Sequence, residues 1–372
     1  MARLCETKYC TGCGACYEIC NHNAIQWRTD KKGFLYPYID NEKCINCHLC
    51  EKKCPILNTP PMTEPHTVIA CHNKNEEERL ISSSGGIATL LGRQALSNKN
   101  ETIYGCIHNE SSHSFCHTKI TNLHDLKKAR GSKYIQSNII SIYKEIKNDI
   151  SSKKKVLFIG TPCQVAGIKS IFKNSEQLVT IDLICHGVPS PQYFYESLPQ
   201  YITKDKISNI IFRVNSQYHL IIKGEDNKTL FERPLDNDIY MKAFFNKIIF
   251  RPSCYSCPFA QKKRVSDLTL GDFWGLKSNY ITQKENGVSL VLINTQKGSE
   301  LLKRIEKDIK YEVRSLKEAQ KYNEQLNTPS KANIRAYIFN AIYPYFNFKK
   351  SVWITLFDKM IAMKIKYFIK KI

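Results

Sequence analysis

The chain has 372 residues, 42% hydrophobic and 24% charged, which excludes wholesale disorder and leaves room for about two or three domains. Lys and Arg number 55 against 34 Asp and Glu, a formal charge of +21, but no nucleic-acid fingerprint accompanies it, so nucleic acid is not an expected partner. Sixteen cysteines behind the start MARLCETKYC, which lacks an apolar leader, point to reduced cytoplasmic thiolates free to hold metal rather than to a secreted disulfide framework. No run of 18 uncharged apolar residues occurs, so no membrane span is expected.

The first 55 residues contain a repeat. Cys10, Cys13, Cys16 and Cys20 read C-x2-C-x2-C-x3-C, and 34 residues later Cys44, Cys47, Cys50 and Cys54 read the same, followed by Pro55. Three cysteines in seven residues wrap a loop around three corners of a cubane, and the fourth is carried off on the following turn. Structural zinc, the alternative, needs two separated knuckles and has no place for the third thiolate. The bacterial pattern crosses over. It assigns Cys10, Cys13, Cys16 and Cys54 to the first [4Fe-4S] cluster, and Cys44, Cys47, Cys50 and Cys20 to the second. Each cubane with its thiolates carries about −2, so two or three of them would bring the charge to roughly +17 or +15. Between the halves, AIQWRTDKKGFLYPYID alternates apolar and polar residues around Asp30 to Gly33, a hairpin signature. The module resembles a bacterial two-cluster ferredoxin. Asn21 stands where that pattern usually has proline, a change expected to loosen a turn or shift a potential without removing a ligand. Cys5, outside the repeat, reads as a passive packing thiol.

Residues 55–66, PILNTPPMTEPH, carry four prolines and no regular period, so they read as a stiff connector or a strap across the next domain. The expected organisation is a ferredoxin-type domain at 1–58, a Pro-rich linker at 59–66, a body at 67–315 in two parts (67–150 and 151–315), and a helical tail at 316–372. In the body, TVIAC, ETIYGCI, KVLFIG, LVTIDLIC, ISNIIFRV, HLIIK, DLTLGDF and VSLVLIN alternate with helical stretches such as 86–97 and 138–151. The fold class is therefore α+β or α/β and multidomain, with a mixed sheet in the body.

Ser82 to Gly86 lead directly into the helical run IATLLGRQAL. Small residues there let the backbone approach a phosphate, but a serine cap with a glycine turn explains them equally well. Cys163 follows the strand KVLFIG and Cys185 ends the next strand, positions where α/β sheets build their sites. Cys254 and Cys257 form a C-x2-C pair. These four suit a third cubane, a zinc ion, a redox-active Cys163 beside a flavin, or unrelated thiols. His186 and Asp272 are acid or base candidates. His186 has no partner legible in the sequence, and Asp272 after Gly271 reads equally as a cap or turn residue. Lys262, Lys263 and Arg264 read as a solvated surface run able to attract an acidic carrier protein.

SSSGGIATLL, ARGSKYIQS, GTPCQVAGIKS, DLICHGVPSP, CYSCPFA, SDLTLGDFWG and GVSLVLINTQKG, in this order, resemble the beta-subunit family of the deazaflavin-coenzyme hydrogenases and dehydrogenases. The resemblance spans residues 5 to 300 or so, and the form it matches is the bacterial branch with a fused two-cluster ferredoxin, often found among surface-polysaccharide genes. It implies a body that binds FAD and a further [4Fe-4S] cluster. Members without the ferredoxin module still hold a cluster, which implies Cys163, Cys185, Cys254 and Cys257 as its ligands. It likewise implies Ser84, Gly85, Gly86 and Thr89 as flavin contacts, joined by Ser132, Lys133 and Tyr134. The expected function is an iron–sulfur flavoprotein oxidoreductase that passes electrons between the ferredoxin module and an FAD site. That site exchanges two electrons or a hydride with a small-molecule substrate the sequence does not identify. The alternative is a non-catalytic subunit that relays electrons to a partner enzyme. An electron-carrier protein or partner redox enzyme is expected in either case.

The resemblance fades after residue 315. The last 20 residues read as an amphipathic helix with Trp353, Phe357, Ile361, Ile365, Ile369 and Ile372 in one stripe and Lys359, Lys366 and Lys370 outside it. Such a stripe either packs on the body or a second subunit, or lies on the cytoplasmic face of an anionic membrane as a peripheral contact.

Overall fold

The computed structural model describes residues 2–173, 175–214, 217–234 and 237–361. The expected hairpin forms from β1 (Ile25–Thr29) and β2 (Leu35–Ile39), with Ile25 opposite Ile39 and Thr29 opposite Leu35. The Asp30 carboxylate makes the turn by accepting the amides of Lys32 and Phe34, each at 2.9 Å. Gly33 takes φ +82°, and a Cβ there would fall 2.5 Å from Gln192 Cβ and from Ser190 Oγ, so conformation and space both require glycine. Phe34, fully buried, meets Tyr193 edge-on with ring centroids 6.0 Å apart. The end of the hairpin is thereby pinned into the largest apolar core of the body.

The remaining strands are β3 (Thr67–Asn73), β4 (Glu101–Asn109), β5 (Ser114–Ile120), β6 (Lys155–Gly160), β7 (Leu178–Leu183), β8 (Asn209–Val214), β9 (Gln217–Lys223), β10 (Thr229–Pro234), β11 (Leu268–Asp272), β12 (Ser289–Ile293) and β13 (Ile309–Arg314). Eight of them make one mixed sheet in the order β13-β3-β12-β11-β7-β6-β4-β5, and β10-β9-β8 make a separate antiparallel sheet. The centre of the large sheet, β11-β7-β6-β4, is parallel, and antiparallel strands flank it on both sides. Both faces are covered. Leu157 of β6 joins the core under the helix Ile87–Leu96, while Val156 and Phe158 join a second core with Ile142, Tyr143 and Val165, the period of two that a doubly covered sheet requires. This is the mixed-sheet α/β body expected from the sequence.

The proline-rich segment straps the body. Thr63 and Arg264 exchange backbone hydrogen bonds at 2.8 and 2.9 Å, His66 N–H donates to Ile293, and Ile56 and Met62 pack on the core beneath. Arg264 corrects the reading of a solvated basic run. Its side chain is buried and pairs at 3.0 Å with the buried Asp182 at the end of β7, while Lys262 reaches the surface carboxylate of Glu64.

The tail is part of the body. After β13 come the helices Leu316–Lys321, Ile334–Ile342 and Phe348–Thr355. Phe339, Tyr343, Phe348, Val352, Leu356 and Met360 enter the core that also holds Phe212 and Tyr240. The face that packs inward lies one residue ahead of the stripe read from the sequence. Val352, Leu356 and Met360 are buried, whereas Trp353 is half-buried and Phe357 and Ile361 are exposed. Ile365, Ile369, Ile372, Lys366 and Lys370 lie outside the described residues. Among the described residues, no helix is long and apolar enough to cross a membrane.

Asp182→Ala would leave the Arg264 charge buried without its carboxylate. We expect a cost of about 3–5 kcal/mol, read as a lower urea midpoint for the purified chain; an unchanged midpoint would contradict the pairing.

Candidate functional site

The first cysteine loop lies on the body. Gly12 (φ +71°) and Gly14 (φ +83°) turn it, and the one-turn helix Ala15–Glu18 follows. Cys10, Cys13, Cys16 and Cys54 line one cavity, as the crossing assignment requires of them, and Cys5 lines it too. The neighbouring Cys5 thiol lowers Cys10 and Cys54, against the opposing effect of burial, and is itself raised. Cys5 thus lies beside two expected ligands. In the second half, Cys20, Cys44 and Cys50 share a small apolar core with Ile25 and Ile39, while Cys47 and the adjacent Ile45 are exposed. This half faces solvent, and the first half faces the body.

The four cysteines of the body come together. Cys163, Cys185, Cys254 and Cys257 line one cavity at the carboxyl ends of β6 and β7, where parallel strands present sites. Cys163 sits in the first turn of the helix Pro162–Ile171, whose start is fixed by Gln164 folding back to accept the Thr161 amide at 2.9 Å. Cys254 and Cys257 come from the single turn Pro252–Ser256 and the residue after it, and Cys254 Sγ accepts the Val188 amide at 3.4 Å in the loop that carries Cys185. Burial raises all four thiols, Cys254 to about 12. Among the described residues no three His, Cys, Asp or Glu side chains converge closely enough for a single metal ion. The first set of cysteines lines one cavity and the body set another.

Thr11 lines both cysteine cavities. Around it the contact is close. The Tyr143 hydroxyl donates to the Cys13 carbonyl at 2.7 Å, and a Cβ on Gly167 would sit 2.8 Å from that hydroxyl and 3.1 Å from Cys13 Sγ. Arg251 closes the other side. It is fully buried and donates to the carbonyls of Cys10 (2.7 Å) and Leu35 (2.9 Å) and to Gln136 Oε1 (3.0 Å). Neither residue stood out in the sequence. The signal available for Arg251 was its place three residues ahead of Cys254, at the start of the RPSCYSC run.

The residues expected at the flavin divide into two kinds. Gly85 is needed by the fold itself, since a Cβ would lie 2.5 Å from the Cys71 carbonyl oxygen and 2.8 Å from the Ser289 nitrogen. Gly86 (φ +81°) begins the helix Ile87–Leu96 with no side chain capping its first amides, Thr89 is buried in its first turn, and the Ser84 hydroxyl is buried without a hydrogen-bond partner among the described residues. Ser83 Oγ accepts the Ser132 amide at 2.7 Å, which joins this loop to residues 131–134. Burial lowers Lys133 to about 8, and its ammonium donates to the Arg130 and Gly131 carbonyls. The Tyr134 ring packs edge-on against Phe212 and Phe244. An orphaned hydroxyl, uncapped amides and a half-buried amine in adjoining loops fit a phosphate-bearing cofactor.

His186 is exposed at the rim of the cavity lined by the body cysteines, its carbonyl accepting from Ser330 Oγ at 2.6 Å. Asp272 is neither a cap nor a free carboxylate. It ends β11 and pairs at 2.8 Å with the buried Arg213 of β8, whose guanidinium lies 4.9 Å from the centroid of the Tyr218 ring.

Two stretches of the chain match known families. Residues 9–57 match the family described as 4Fe-4S dicluster domain. Residues 153–319, which contain all four body cysteines, match the family described as the C terminus of the beta subunit of coenzyme F420 hydrogenase/dehydrogenase. An uncharacterized ferredoxin of Methanocaldococcus jannaschii is 40% identical over 50 residues, 13% of this chain and 64% of that protein, so the chain spans a little under two thirds of this relative. A chain from a xenon-derivatized F420-reducing [NiFe] hydrogenase complex of Methanosarcina barkeri superposes with a TM-score of 0.47 at 19% identity, over 71% of this chain and 90% of that one. Residues 9–57 thus form a 4Fe-4S dicluster domain at the front of the chain. The chain carries the C-terminal domain of the coenzyme F420 hydrogenase/dehydrogenase beta-subunit family, as its motifs indicated.

Gly167→Ala should crowd Tyr143 and Cys13 and cost about 1–3 kcal/mol of docking between the first cysteine loop and the body. The expected readouts are faster limited proteolysis within residues 55–66 and faster loss of iron to a chelator, with wild-type rates as the contrary result.

Proposed function

We propose that the chain is an iron–sulfur flavoprotein oxidoreductase in which electrons pass between the dicluster module and a flavin site in the body. The observation that carries this reading is the shared wall of the two cysteine cavities, with Thr11 on both. Cys10, Cys13, Cys16 and Cys54 would hold one [4Fe-4S] cluster, Cys20, Cys44, Cys47 and Cys50 a second, and Cys163, Cys185, Cys254 and Cys257 a third. The fit rests, for the first and third sets, on buried and half-buried thiols gathered around a common cavity, and for the second on the spacing of its repeat. Ser84, the amides after Gly86 and Lys133 would hold the phosphates of FAD, with Thr89 and Ser132 alongside. When bound, FAD exchanges two electrons with a substrate and single electrons with a cubane, so the two together link one-electron and two-electron chemistry.

The residues of the chain order this path. Cys47 and Ile45 expose the second half of the module to a carrier protein or partner redox enzyme. Cys10 and Cys13 turn inward, and Tyr143, Gly167 and Arg251 hold that loop against the body. A relay without its own substrate is the competing reading, and flavin content separates the two.

The test is anaerobic purification with iron, sulfide and flavin counted on one sample. Three cubanes correspond to about twelve irons, and we expect one FAD beside them. About eight irons without flavin would leave the dicluster module alone and favour the relay. Lys133→Met should lower FAD occupancy several-fold while the iron count stays constant. Unchanged occupancy would remove Lys133 from the flavin site.

Membrane contact through the exposed Phe357 and Ile361 belongs to this reading as a separate element. A chain with Phe357→Ser and Ile361→Ser keeps the buried Val352, Leu356 and Met360. It should sediment less with anionic liposomes than wild type, and equal recovery would dismiss the contact.

A further inference from the structure

Arg251 is a full positive charge with no side-chain surface in water, and no carboxylate among the described residues is paired with it. Its hydrogen bonds go to neutral oxygens: the carbonyls of Cys10 and Leu35 and the amide oxygen of Gln136. Its remaining neighbours are the Tyr36 ring, 4.2 Å from guanidinium carbon to centroid, the Phe34 ring at 5.4 Å, and Cys10 Sγ at 3.9 Å. On its other side it lines the cavity of Cys163, Cys185, Cys254 and Cys257, and its own carbonyl accepts the Cys254 amide at 2.9 Å. A buried cation without an anion is costly. The cost makes sense where the negative charge belongs to something the cysteines hold. A cubane with four thiolates carries about −2 when oxidised and about −3 after taking one electron.

From this we infer that Arg251 is the positioning residue that sets the potential of the first cluster relative to the second, with the body cluster sharing the same guanidinium. This rests on the reading that Cys163, Cys185, Cys254 and Cys257 hold a third cluster. One-electron reduction adds a unit of negative charge to the assembly that includes Cys10 Sγ, and a guanidinium in contact with that sulfur stabilises the reduced form in a medium that screens poorly. The potential of the first cluster rises. The second cluster, on Cys20, Cys44, Cys47 and Cys50, has no contact with Arg251 and lies nearer solvent, so its potential stays where its own surroundings put it. An electron arriving at the exposed half then moves inward energetically downhill and stops beside the body. The same side chain fixes the distance for that step, because its bonds to Cys10 and Leu35 fasten the module to the turn that carries Cys254 and Cys257. Gln136 orients the fork: its Nε2 donates to the Thr11 carbonyl at 3.3 Å, while its Oε1 accepts from Arg251. The glycine at position 12 leaves room for both, since a Cβ there would lie 2.9 Å from Gln136 Nε2 and 3.2 Å from Arg251 Nη1.

The test is an EPR-monitored dithionite titration of the whole chain as wild type, Arg251→Met, Arg251→Lys and Gln136→Glu, with iron counted on each sample. In Arg251→Met the ratio of reduced to oxidised first cluster at a fixed poise should fall at least tenfold, a shift of about 59 mV for one electron, while the second cluster does not move. Arg251→Lys keeps the charge and should shift the first cluster by less than Arg251→Met does. If Arg251→Met does not fold, Gln136→Glu decides: a carboxylate beside the guanidinium should lower the same potential with nearly the wild-type shape. A folded Arg251→Met with wild-type potentials, or an unmoved Gln136→Glu where Arg251→Met is lost, would overturn the inference. The iron count judges the underlying reading separately. About eight irons in wild type would remove the third cluster whatever the potentials do.

Discussion

The whole arrangement depends on one contact: a cysteine loop with no side chain at Gly12 or Gly14 pressed against Arg251, Gln136 and Tyr143. A small two-cluster module has little apolar surface of its own. Here its core amounts to Ala2, Ile25 and Cys50 with a few half-buried neighbours, too little to hold a position by hydrophobic burial. The body supplies the rest through directed bonds to backbone carbonyls, the Phe34 ring buried against Tyr193, and the strap from Ile56 to His66. The module is therefore a structural part of the molecule, oriented by body residues that bond to the backbone of its first cysteine loop.

The sheet explains where the second cysteine set lies. β6 and β7 are adjacent and parallel, so the residues after them emerge at one end, and Cys163 and Cys185 become neighbours although 22 residues separate them. Cys254 and Cys257 arrive from a different part of the chain, brought over by the Pro189–Phe250 bridge and by the Arg251 amide bonded to the Val188 carbonyl. The ion pair of Arg264 with Asp182 stands behind this end of the sheet, and the pair of Arg213 with Asp272 ties it to the three-stranded sheet. Charged residues thus brace the site from inside.

Much of this was legible in the residues and some was not, for physical reasons. The cysteine repeat, the hairpin at Asp30 to Gly33 and the eight apolar strand runs state their structure directly, because spacing and period follow from local geometry. The strands that escaped, β5, β10 and β13, are all sheet edges. Edge strands carry charge and polarity, as in IKYEVR and TLFERP, which weakens the apolar signal by which strands are recognised. Which face of the tail packs inward was not legible for a related reason. Val352, Leu356 and Met360 and the neighbouring Trp353, Phe357 and Ile361 are both apolar stripes of the same period, and only packing against Tyr193 and Tyr240 selects the first. Arg264 looked like a surface residue because two lysines precede it. Arg251 and Thr11 were invisible for a different reason. Their roles exist only once two distant segments meet, and no local pattern records that meeting.

The central claim is that the inner cluster of the module and a cluster held by the body are direct neighbours. EPR spectra of the fully reduced whole chain test it, recorded for wild type and for Cys254→Ser at matched spin concentration. The account predicts that wild type shows broadened, fast-relaxing signals from coupled neighbours, and that the variant reverts to the pattern of a two-cluster ferredoxin. Identical spectra in the two proteins, with the dicluster signal fully developed in both, would contradict it.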